Sequence, residues 1–112
     1  MNAKARAARR TLRDRTRTQR AASRINRRGV GTLATHCIAA GLGIREARTV
    51  AGSLRKNAAK AAVTGTPGTS YTHGRARTCT RYTPAEVARI AVIYRPRKPA
   101  YKTVAARLAL AA

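Results

Sequence analysis

The sequence predicts a mainly α fold with one small β-hairpin, led by a basic N-terminal arm. Three observations predict it. The first 28 residues are dominated by Arg and Ala, with no Gly or Pro and only Leu12 and Ile25 as large aliphatics. Four later stretches carry apolar residues at helical spacing, each with its own start or stop signal. Between the second and third of these lies a Thr-, Gly- and Ser-rich stretch that ends in the β-prone run RTCTRYT.

Residues 1–28 hold 11 of the 25 cations and one acid, Asp14. Ala5, Ala8, Leu12, Gln19, Ala22 and Ile25 fall near one helical face, with Arg around the rest. Such a stripe buries too little apolar area to offset the entropy of ordering it. The expectation is a disordered arm that becomes helical on a polyanion, with residues from about Thr18 joining the domain. A solvated charged tail is the plainer alternative.

Gly29 and Gly31 break the arm. Thr32 is a candidate N-cap for a short helix through Leu33, Cys37 and Ile38, closed by Gly41 with Leu42 as its hydrophobic contact. A second helix is expected from about Ile44 to Asn57. Ala47, Val50, Ala51 and Leu54 form its inner stripe, and Arg45, Arg48, Thr49, Arg55 and Lys56 its outer side. Two short helices joined by a Gly-bearing turn form a helix-turn-helix pattern.

The stretch TGTPGTSYTHGR reads as a loop, and RTCTRYT as a strand of a hairpin around it. Thr83 with Glu86 three residues on is a capping box, and Pro84 stands at the first helical position. Val87, Ile90, Ala91 and Tyr94 form the inner face of that helix, which Pro96 ends. After the basic link PRKP, a last helix from Ala100 to about Leu110 presents Tyr101, Val104, Ala105 and Leu108 on one side.

Charge narrows the function classes. The 112 residues carry 25 Lys and Arg against 3 Asp and Glu, a net charge of +22. Leu, Ile and Val number 17 and Phe and Trp are absent, so the core is thin and one small domain is the ceiling. A polyanion is the expected partner, and nucleic acid the commonest one. Arg outnumbers Lys 20 to 5, which favours bidentate contacts to phosphate or guanine. No run of 18 apolar residues suggests a membrane span, and no apolar stretch follows the basic N-terminus as in a signal peptide. Cytoplasmic, nucleoid-associated residence and free thiols at Cys37 and Cys79 follow as expectations.

The order helix, Gly turn, helix, β-hairpin, helix resembles the winged helix-turn-helix, and residues 32–95 are similar to MarR-like bacterial regulators. AAGLGIREARTVAGSL carries the resemblance for the turn and recognition helix, and RTCTRYTPAEVARIA for the second wing strand and following helix. Two departures stand out. His36 falls where such motifs usually have an aliphatic residue, and the family's first helix would fall in the polar, Arg-rich segment. Separately, NAKARAARRTLRDRTRTQR resembles the arginine-rich RNA-binding peptides of phage antiterminators. The implied organisation is a basic arm over 1–28, a winged helix-turn-helix domain over 29–95 and a C-terminal helix over 96–112.

The resemblance implies a sequence-specific double-stranded DNA-binding protein, a small bacterial or phage transcriptional regulator. The second helix would enter the major groove, with Arg45 and Arg48 on guanine edges and Thr49 on a thymine methyl or a phosphate. Arg55 and Lys56, the wing residues Arg75, Arg77 and Arg81, and Arg6, Arg9, Arg10, Arg13, Arg17 and Arg20 of the arm would meet the backbone. A solvated helix face and a mobile loop are the plainer readings of the same residues. An RNA-binding or ribosome-associated protein and a non-specific DNA-compacting protein remain alternatives. The apolar side of the last helix suggests a homodimer.

Metal and catalysis find little support. His36, Cys37, His73 and Cys79 lack the spacing of a zinc site, since adjacent helical residues point in different directions. Glu46 and Glu86 are explained by helix starts, and Asp14 by neighbouring Arg10 or Arg17, which leaves no acid for acid–base chemistry. No cofactor or enzymatic activity is expected.

Overall fold

The computed structural model describes residues 2–111. The chain is mainly helical with one two-stranded antiparallel hairpin. In order it contains α1 (Ala3–Arg28), α2 (Leu33–Ala39), α3 (Ile44–Ala58), β1 (Thr66–Thr72), β2 (Arg75–Arg81), α4 (Pro84–Ile93) and α5 (Pro99–Leu110).

The segment read as an arm ordered only on a polyanion is one continuous helix. Asn2 caps it by accepting the N–H of Ala5, and Gly29 closes it by donating to the carbonyl of Ile25. Ala and Arg are good helix formers, and Arg27 and Arg28 in the last turn suit the helix dipole. Packing begins near Thr18, as expected, and keeps only the C-terminal end of the expected stripe. Ala21 and Ile25 are buried against the domain, whereas Leu12 is 62% exposed. Every residue from Asn2 to Arg17 is exposed. At 1.5 Å per residue α1 is about 39 Å long.

Helices α2 and α3 form as their caps and stripes predict. The Thr32 side chain accepts the N–H of Thr35 at the start of α2. After Ala40 the chain turns through Gly41, and the N–H of Leu42 reaches back to the carbonyl of Cys37. Ala47, Val50, Ala51 and Leu54 are all buried. They meet Leu33 and Cys37 of α2, Val87, Ile90 and Ala91 of α4, and Val104 and Leu108 of α5 in one core. Each fully buried Leu, Ile or Val contributes about 1.5–3 kcal/mol. The capping box at Thr83 and Glu86 is present in both directions, with bonds of 2.9 and 3.2 Å.

The hairpin differs from expectation. TPGTSYT, read as part of a loop, is strand β1 and pairs in full register with β2 from Thr66↔Arg81 to Thr72↔Arg75. The connection is only His73 and Gly74, both with positive φ (53° and 75°), as a type I′ turn requires. Pro67 is tolerated because a two-stranded ribbon leaves each strand an open edge. Gly68 leaves room for the Arg81 guanidinium, which crosses β1 and donates to the carbonyl of Thr69 at 2.9 Å.

A single bridge ties the hairpin to the chain after α1. Gly31 and Tyr82 exchange both backbone bonds, at 3.0 and 2.8 Å. His36, the residue that looked out of place, explains itself here. It is buried, and its Nε2–H donates to the carbonyl of Tyr82 at 2.7 Å. Burial holds its pKa below the ordinary histidine value, only partly opposed by hydrogen bonds to the backbone of Tyr82 and Gly31. The imidazole therefore works as a neutral peg between α2 and the base of the hairpin.

The apolar side of α5, which suggested a second copy, is used inside the chain. Val104, Ala105 and Leu108 are buried in the common core and Tyr101 packs against it. Lys98 lies over the Tyr101 ring, 5.3 Å from its centroid.

Candidate nucleic-acid interface

Helix α3 sorts its residues by chemistry. Its inner face is anchored by Val50 and Leu54, both fully buried. Arg45, Arg48, Thr49, Arg55 and Lys56 are all exposed. This is the arrangement its 3.6-residue period requires. Thr49 donates its hydroxyl to the carbonyl of Arg45 at 3.2 Å, so its methyl is the part left for an apolar contact. Glu46 lies in the first turn, where it favours the helix dipole.

Gly52 lies seven residues after Arg45 on this outer face, among Arg48, Thr49 and Lys56. Sequence patterning passed over it. A glycine inside a helix costs about 1 kcal/mol relative to alanine. Nothing in the chain requires it here, because a Cβ at position 52 would meet no atom within 4 Å. It leaves a bare patch of backbone in the middle of the cationic face.

Beside α3 lies a cleft of about 260 Å³, lined by Arg55, Thr32, Leu33, Thr78, Cys79, Thr80 and Tyr82. The structure thus brings Arg55 together with two threonines of β2. It does not bring the three hairpin arginines there. Arg75, Arg77 and Arg81 alternate with Thr78 and Thr80 along β2 and share the opposite face. Arg75 and Arg77 are exposed near the tip, whereas Arg81 is half-buried and occupied in bracing β1.

Arg6, Arg9, Arg10, Arg13, Arg17 and Arg20 are all exposed along α1. Asp14 and Arg17 form the one ion pair among the described residues, at 3.7 Å with both groups about half exposed. Such a pair contributes at most about 1 kcal/mol. Three arginines that sequence patterning did not single out are held by carbonyls: Arg89 by Ala61, Arg95 by Val92 and Arg107 by Ala40. They brace loops and helix ends.

No group of three His, Cys, Asp or Glu comes together among the described residues, and no helix there is long and apolar enough to cross a membrane. Cys37 is fully buried, which pushes its thiol up to about 12. Comparison with protein-family models, with curated proteins and with solved structures finds no match to this chain.

Proposed function

We propose that this chain is a sequence-specific double-stranded DNA-binding protein of winged helix-turn-helix organisation, acting as a small bacterial or phage transcriptional regulator. One observation carries the reading. Helix α3 is fixed by a buried apolar stripe while the middle of its outer face carries arginine, lysine, threonine and a bare glycine, with Glu46 its one exposed acid. A helix so held can enter the major groove and keep its side chains in register with base edges. The Gly31–Tyr82 bridge supports the same reading, since it joins the link between α1 and α2 to the residue that follows β2. Arg45 and Arg48 would read guanines, Thr49 a thymine methyl, and Arg55 and Lys56 the backbone. Arg75 and Arg77 at the hairpin tip would reach phosphates further along.

Selection from a random duplex pool at physiological salt, beside a matched RNA pool, tests this. The expected result is an enriched duplex motif. With about eight phosphates neutralised, log affinity should fall against log salt with a slope near −7. A slope shallower than about −3, or enrichment only in the RNA pool, contradicts the reading.

The second outcome has its own support. The free length of α1 is a fully exposed, Arg-rich helix, a shape that also suits a folded RNA. Truncation should stop at Thr16, because Arg17 borders the packed part to which Ala21 and Ile25 belong. If duplex specificity survives loss of residues 2–16, DNA reading stands; if only hairpin RNA binding existed and it vanishes, the RNA reading replaces it.

A further inference from the structure

Where α1 passes α2 and the start of α3, its cations form something more definite than a charged surface. Arg17, Arg20 and Arg24 line a cleft of about 220 Å³ with Ala21, Thr35, Ile38 and Ile44. The three guanidinium groups stand at i, i+3 and i+7 of one helix, so they follow a single side of it. The floor is apolar, from buried Ala21 and half-buried Ile38. Such a floor packs the arginine stems and lowers the local dielectric, which strengthens any contact the guanidinium groups make. The opposite wall ends at Ile44, the first residue of α3, one residue before Arg45. No carboxylate lines the cleft, and the nearest acid on α1, Asp14, meets only Arg17, at 3.7 Å.

We infer that this cleft is a discrete phosphodiester-binding site, which seats one backbone phosphate of the duplex between α1 and the N-terminal end of α3. The inference rests on the DNA reading and deepens it. Guanidinium forks match the two non-bridging oxygens of a phosphodiester, and three of them around a concave floor define one position along a strand. The consequence concerns α1. Its last turns, from Arg17 on, act as a fixed jaw that sets the depth and angle of α3, while only residues 2–16 act as a non-specific grip. Arg24 is the new member of the binding set, and it separates this site from a general attraction to charge.

The test is a methylphosphonate scan of the selected duplex, in which each backbone phosphate is neutralised in turn, read with the full chain and with R17A/R20A/R24A. These positions are exposed and alanine is a strong helix former, so the triple variant keeps α1; circular dichroism verifies it. The expected result is one phosphate, on one strand, whose neutralisation weakens the parent about ten-fold and the triple variant less than about two-fold. The salt slope should also become shallower by about 1, as expected for one phosphate. R17K/R20K/R24K, which keeps charge without the fork, should recover only part of the affinity. D14N, which frees Arg17, should bind as tightly as the parent or tighter. Two results overturn the site: a loss spread evenly over the scan, or a scan profile the triple variant leaves unchanged. Both are separable from failure of the DNA reading, which R45A/R48A reports on the same duplex. A chain that selects no duplex overturns the two together.

Discussion

Helices α1 and α3 both present arginines to solvent, but they hold them in different ways. Of the 26 residues of α1 only Ala21 and Ile25 are buried, whereas α3 buries Ala47, Val50, Ala51, Leu54 and Ala58 out of 15. The arginines of α3 are therefore positioned by the core of the whole domain. Those of the first four turns of α1 are positioned by one helix alone. Reading base edges needs side chains placed to fractions of an ångström, while attraction to phosphate does not. The same residue type thus suits two tasks, and the packing beneath it decides which.

The sharpest way to break this comparison is through stability. Leu54→Ala empties a fully buried position and should cost about 2–5 kcal/mol in urea unfolding. Leu12→Ala on α1 should stay within about 0.5 kcal/mol. Similar losses at both positions would mean that α1 is as firmly packed as α3.

A second test concerns the peg that joins α2 to the hairpin. The pKa of His36 is lowered in the fold, so the unfolded chain binds its proton first as pH drops. Its contribution is complete above about 6.5, the ordinary histidine value, and is lost as pH falls from there towards the folded value. His36→Gln, which keeps an N–H for the Tyr82 carbonyl, should flatten that part of the stability–pH curve. A curve unchanged by the substitution would remove the neutral-peg account.

Gly52 offers a smaller effect with opposite signs. Gly52→Ala should stabilise the fold by about 0.5–1 kcal/mol, because alanine is the better helix former and the space is open. On the proposed reading it should at the same time weaken duplex binding, since the added methyl would stand where α3 meets the groove. Tighter binding together with greater stability would show that the bare patch is not a contact. The smallest signal is chemical. At pH 8 a thiol reagent should label half-buried Cys79 readily and Cys37, buried with its thiol raised to about 12, only on unfolding. Fast labelling of both would place α2 outside the rigid core.

What was legible in the sequence was what local signals determine. The Thr83–Glu86 box, Pro84, the Thr32 cap and the stripe from Ala47 to Leu54 each act within a few residues, and each is found in the structure. Strand β1 was not legible, because Pro67 and Gly68 look like turn residues until the pairing with Thr80 and Cys79 supplies their partners. The role of His36 depends on a carbonyl 46 residues away. On α1 the expected packing from about Thr18 holds and Ile25 of the expected stripe is buried, but Ala5, Ala8 and Leu12 stay exposed, because nothing packs against the first turns. The outer face of α3 could be read directly from its period, whereas the α1 cleft depends on how two distant segments cross.

The central claim is that α3 reads sequence and the free length of α1 does not. The most direct measurement is the affinity ratio between the selected duplex and a scrambled one of equal length, for the full chain, for R45A/R48A and for a chain lacking residues 2–16. The account predicts that R45A/R48A loses about 1–3 kcal/mol of discrimination per base contact and that the truncation lowers both affinities while preserving their ratio. A ratio that survives R45A/R48A and collapses with the truncation would contradict it.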